Sequence, residues 1–178
     1  MNEILADGLN VVESLNVQLI RIPPIYGSLA GSINYWSNRL EGQLWSVSPQ
    51  NVLMQALVTA TSTLNNLRYA GSMTLSTQAL EFPRNGSAVV PIAIQDACYE
   101  LAMALLKGVD AETEYAGTFA SLRSFGQIET RYDYGMRPPE HIVAGVPSLR
   151  AWHLIRPFLS KDLTILYSPG AKPWQPVL

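Results

Sequence analysis

Between Asn51 and Gly108 the chain carries two apolar stripes at helical spacing, held apart by a segment that cannot be helical. The first stretch, NVLMQALVTATSTLNNLRYAG, sets Leu53, Leu57, Ala60, Leu64 and Leu67 at steps of four, three, four and three. Such steps return to one side of a helix with about 3.6 residues per turn, so they predict an amphipathic helix over about 49–68. Ser48 is its expected N-cap and Pro49 suits the first helical position. The second stretch, IAIQDACYELAMALLKG, follows Pro91 and places Ile94, Ala97, Cys98, Leu101, Ala102 and Leu105 on one face, with Gly108 as terminator. Between them ALEFPRNG reads as a short extended piece and a turn, because proline fixes φ and Asn85-Gly86 favours positive φ.

The flanks are less regular. Residues 1–31 predict an extended N-terminal arm, since LNVVESLNVQLIRI alternates weakly and Pro23-Pro24 with Gly27 and Gly31 interrupt any regular element. A short helix is expected over about Ser32 to Leu44, capped by Ser32, with Trp36 and Trp45 anchoring the longer helices. Past the second long helix, VDAETEYAG reads as its polar exit. Ile128, Thr130, Tyr132 and Tyr134 then alternate as in a strand or extended arm. RPPEHIVAGVP is irregular, PSLRAWHLIRPFL predicts a short helix over about 147–159, LTILY a last strand, and SPGAKPWQPVL a proline-rich tail. The fold expected is mainly α: a small bundle of about four helices with extended N- and C-terminal arms and short β segments. Its divisions are an arm over 1–31, a helical core over 32–115 and a C-terminal arm over 116–178.

Composition narrows the function classes. At 178 residues the chain suits one core with arms. Charged residues are 15% against 48% hydrophobic, below the roughly 25% charged of an average soluble domain. Subunit contacts explain that shortfall, and so does an uncharged polar surface. The net charge of −2 excludes a chain-wide basic field for nucleic acid. Charge is nevertheless uneven: five basic and ten acidic residues lie in 1–114, against seven basic and four acidic in 115–178.

No catalytic constellation stands out. Cys98 is the single cysteine, so an internal disulfide is excluded, and its place on an apolar helix face suits a buried small hydrophobe. His141 and His153 are not spaced as metal ligands. Asp96 and Glu100 share a helix face and read as solvated acids; Asp110, Glu112 and Glu114 read as a polar helix end. Phosphate-binding glycine loops and the GxSxG elbow are missing. Asn85-Gly86-Ser87 matches a glycosylation acceptor but is better read as a turn. Neither a membrane span nor a signal peptide is evident, so a cytoplasmic origin is expected, without cofactor or metal.

The order of several phrases resembles the head-tail adaptor (head-completion, connector) proteins of tailed bacteriophages. They are INYWSNRL, Trp45, the ALVTAT of the first long helix, ALEFPR at Ala79 to Arg84, the Pro91 to Ala102 helix start, LLKGVDAETEY and RPPEHIVAGVPSLRAWHLIRPFL. Together they cover about 32–159. Some members of that group are labelled single-stranded-DNA-binding proteins, after a primosomal protein. The resemblance implies a non-enzymatic virion protein of the neck, made in the host cytoplasm. It would form a homo-oligomeric ring, twelvefold to match the portal, that extends the DNA channel between portal and tail or nozzle proteins and touches passing viral DNA. Ala97, Ala102 and Ala104 would allow close packing between neighbours, and Arg131, Tyr132, Tyr134, Arg137, Trp152 and Arg156 are the expected portal-facing residues. Channel-facing residues are not assigned. The alternative is a single-stranded-DNA-binding accessory of replication; an enzyme comes third.

Overall fold

The computed structural model describes residues 23–118, 122–125, 128–131 and 138–161. Seven α-helices are found among them: α1 (Leu29–Ser37), α2 (Gln43–Val47), α3 (Gln50–Asn65), α4 (Ile92–Leu106), α5 (Ala111–Thr118), α6 (Glu140–Val143) and α7 (Leu149–Ile155). Strands β1 (Leu122–Phe125) and β2 (Ile128–Arg131) form an antiparallel pair with Phe125 opposite Ile128. The protein is mainly helical, as its sequence patterning predicts.

Both long helices form where their stripes lie. Leu53, Leu57, Ala60 and Leu64 are buried along α3, while Leu67 falls past its end and packs at the core margin. On α4 the buried set is wider than one stripe, adding Tyr99, Glu100 and Met103 to the expected face. This follows from its position: α3 packs on one side of α4, α7 on another, and α1 also touches it. A helix covered on several sides loses its polar face. Full burial of a side chain such as Leu57 or Leu101, both 0% exposed, contributes about 1.5–3 kcal/mol.

Several boundaries differ from the sequence reading. Helix α1 starts three residues early because Ser28, in extended conformation, accepts a hydrogen bond from Gly31 N. Ser32 is instead buried inside the helix, its hydroxyl donating to Leu29 O at 2.6 Å. The single helix expected to Leu44 is broken at Asn38, and α2 follows a short 3-10 turn at Leu40–Gly42. In α3, Pro49 occupies the cap position rather than the first turn, and Ser48 Oγ donates back to Leu44 O. VDAETEYAG is not merely an exit: Asp110 receives the Thr113 N–H and side-chain hydroxyl and starts α5. EHIV within the stretch expected to be irregular forms α6.

The arm boundaries also move. Tyr26, inside the expected N-terminal arm, is fully buried; its N–H donates to Thr61 Oγ1 at 3.1 Å and its hydroxyl to Asn65 Oδ1 at 2.8 Å. Helix α7, assigned to the C-terminal arm, packs on α4 with Trp152 and Ile155 buried, so it belongs to the core. Leu149, at the start of α7, is 51% exposed. Residues 1–22 and LTILY lie outside the described residues.

Candidate interaction surface

The connection between α3 and α4 is a built loop rather than a slack one. Arg84, with its side chain nearly buried, donates to the carbonyls of Tyr69, Ala70 and Gly71 and pairs with the Glu81 carboxylate. Asn85 and Gly86 take the expected positive φ of 56° and 75°. Asn85 Oδ1 accepts from Ser72 N, and Phe82 packs edge-on against Tyr69, Tyr26 and Phe158.

Two contacts define the ends of the α3–α4 pair. Tyr69, just past α3, bridges to Leu159, and Ala70 N donates to Phe158 O at 2.8 Å, so the exit of α7 lies beside the exit of α3. Ala111, just past α4, lines a cavity of about 270 Å³ with Tyr115, Ile142 and Gly145, which puts α6 beside the exit of α4. The segment from α6 through α7 to Leu159 therefore runs from one end of the pair to the other, and α3 and α4 exit at opposite ends. At about 1.5 Å per residue the 15-residue α4 separates them by roughly 22 Å.

A buried carboxylate lies between α1 and α4. Glu100, 5% exposed, accepts from Tyr35 Oη at 2.8 Å and from Arg39 Nη1 at 3.1 Å. The Arg39 guanidinium lies 4.0 Å from the Tyr35 ring centroid. Glu100 is thus not the solvated partner of Asp96 that helical spacing suggests; the carboxylate is buried because α1 supplies two donors. Burial raises the pKa of Asp96, with Arg39 opposing. Burial, then the Glu100 hydrogen bond, raises that of the Tyr35 phenol.

Cys98 is 0% exposed, with Sγ 3.3 Å from Thr61 Oγ1, and burial pushes its pKa up to about 11. That environment suits a packed thiol rather than a nucleophile. His141 has a lowered pKa, through burial first and the charge of His153 second. Among the described residues no group of three or more His, Cys, Asp or Glu is placed to hold a metal, and no helix is long and apolar enough to cross a membrane.

The residues expected to face a portal divide. Arg156 is exposed at the exit of α7, but Trp152 is 4% exposed and packed in the core, so it offers no partner surface. Arg131 ends β2; Tyr132, Tyr134 and Arg137 lie outside the described residues. Ala97 and Ala102 are fully buried within the subunit, leaving them no role between neighbours. What the sequence reading missed is the exposed apolar set: Leu40 at 104%, Ile92 at 74%, Val47 at 71%, Val89 at 68% and Leu75 at 62%. Helical periodicity has no signal for side chains in turns and at helix ends.

A family model described as "Putative DnaT-like ssDNA binding protein" matches residues 25–161. The match spans every helix described, and the chain belongs to that family. No curated protein and no solved structure matches.

Proposed function

We propose that this chain is a non-enzymatic binding protein that acts on single-stranded DNA as an accessory of replication. The family match over residues 25–161 carries the reading. The surface restricts how such binding works. Among the described side chains Tyr115 is the one Phe, Trp or Tyr more than a third exposed, so within that part of the chain phosphate contacts outweigh base stacking. Binding of that kind weakens steeply with salt. Filter retention of a labelled oligonucleotide tests it: the expected result is saturable retention at low salt that disappears as salt rises. Failure to retain the oligonucleotide at low salt contradicts it.

A second reading, the head-tail adaptor ring between portal and tail, is favoured by exposed apolar side chains such as Leu40, Val47, Val89 and Ile92. DNA binding has no need of them; subunit contacts do. Here the expected result is binding of the purified chain to portal particles. A chain that leaves portal unbound under every salt condition contradicts this second reading.

A further inference from the structure

The joined exits of α3 and α7 gather cations without acids. Residues 66–72 and 149–161 contain no Asp or Glu, and the two stretches meet where Tyr69 pairs with Leu159 and Ser160 N–H donates to Arg68 O at 3.0 Å. Tyr69 is buried, so extended pairing turns the preceding residue, Arg68, outward, and it is exposed. Arg156 opens the 3-10 turn that leads to Leu159 and is exposed as well. His153, three residues before it and exposed, shares its side of α7. Among the described residues neither arginine pairs with a carboxylate. The acids tied to these elements are already paired: Glu81 with Arg84, and Glu41 with Arg150 one turn before His153, at 2.6 Å. Asp162, the next acid in the chain, lies outside the described residues. Within the described residues this patch is therefore positive, on a chain whose net charge is −2.

We propose that Arg68, His153 and Arg156, brought together by the pairing of Tyr69 with Leu159, form a contact site for the phosphate backbone of single-stranded DNA. The inference rests on the single-stranded-DNA reading and deepens it by placing the contact on named residues. Both guanidiniums supply charge and several donors, and the His153 ring supplies an N–H in either tautomer. Charge without a neighbouring carboxylate is what a phosphate backbone requires, because neutralising it releases bound counterions. A protein partner asks for more. The centre of a protein contact is apolar, and none of the large apolar side chains exposed on this protein falls within 66–72 or 150–161. Arg150, held by both oxygens of Glu41, closes the patch along α7, so the site is short and its contacts with phosphate are few.

Fluorescence anisotropy of a dye-labelled oligonucleotide, titrated with the full-length chain across a salt series, tests the site. Far-UV circular dichroism confirms that each variant is folded. R68A and R156A should each weaken binding about fivefold at 0.1 M salt and lower the slope of log affinity against log salt by about 0.7, the share of one phosphate on a single strand. R156E should weaken it further. K107E, which makes the same charge change at the exit of α4, should bind like wild type. Three outcomes overturn the site while leaving the single-stranded-DNA reading in place: arginine variants that bind like wild type, a K107E loss equal to that of R156E, or arginine variants that keep the oligonucleotide and lose portal particles. The second would reduce the effect to net charge, and the third would assign the patch to a protein. A wild-type chain that leaves the oligonucleotide free at low salt overturns both claims, so the two failures are told apart.

Discussion

Tyr35 donates its phenolic hydrogen to Glu100 Oε1 at 2.8 Å, and that bond fastens α1 to α4 across 65 residues of sequence. Arg39 reaches the same oxygen while lying over the Tyr35 ring, so one buried carboxylate holds two side chains in place. Removing it strands two donors near the core. Glu100→Ala is expected to destabilise the protein by about 3 kcal/mol, and Tyr35→Phe by about 1 kcal/mol. Urea unfolding measures both; a Glu100→Ala cost below about 0.5 kcal/mol would show the carboxylate to be dispensable.

The buried thiol gives a pH signature. Burial lifts the pKa of Cys98 from 9.0 to about 11. The unfolded chain therefore loses the thiol proton first as pH rises, and stability falls with it. This contribution is complete below pH 9 and is lost progressively up to about pH 11. Tyr26, which burial lifts to about 12, acts in the same direction at higher pH. Cys98→Ala should flatten the thiol's part of the stability profile between those values. An identical alkaline slope in wild type and variant would refute the assignment.

Gly42 is fixed by space rather than by φ. A Cβ there would sit 2.0 Å from the carbonyl oxygen of Trp36, which also accepts the Arg39 N–H at 3.0 Å. Backbone cannot yield as a flexible side chain does, so Gly42→Ala should open the turn between α1 and α2. The expected cost is about 1–3 kcal/mol, with a red shift of tryptophan emission as the paired Trp36 and Trp45 gain solvent. Unchanged stability and emission would argue against this packing.

Two serines should respond unequally. Ser28 caps α1, so Ser28→Ala should cost about 1 kcal/mol. Ser48 donates to Leu44 O and caps nothing, so Ser48→Ala should cost less than about 0.5 kcal/mol. Thermal melts of the two variants compare them directly, and equal losses would count against the assignment.

That pair of serines also shows where the sequence was legible. Leu53, Leu57, Ala60 and Leu64 announce α3 because a long periodic stripe has few alternative readings. The cap does not announce itself, since Ser-Pro before a helix fits two registers that differ by one residue. Glu100 was misread for a related reason: spacing assigns it a helix face, but only the packing of α1 shows that the face is covered. Trp152 as a partner residue failed in the opposite sense, because an aromatic beside basic residues looks like a surface until α4 is placed against it. The Asn85-Gly86 turn was readable because its φ requirement is local. The meeting of the α3 and α7 exits was not, since Tyr69 and Leu159 lie far apart in sequence and come together only in the fold.

The most direct test of single-stranded-DNA binding is sedimentation of a dye-labelled oligonucleotide with the full-length chain, followed at the dye's absorbance across a salt series. The account predicts co-sedimentation at low salt and release as salt rises, with a slope that counts the phosphates neutralised. An oligonucleotide that sediments as free DNA at every salt concentration, beside a folded protein, would contradict it.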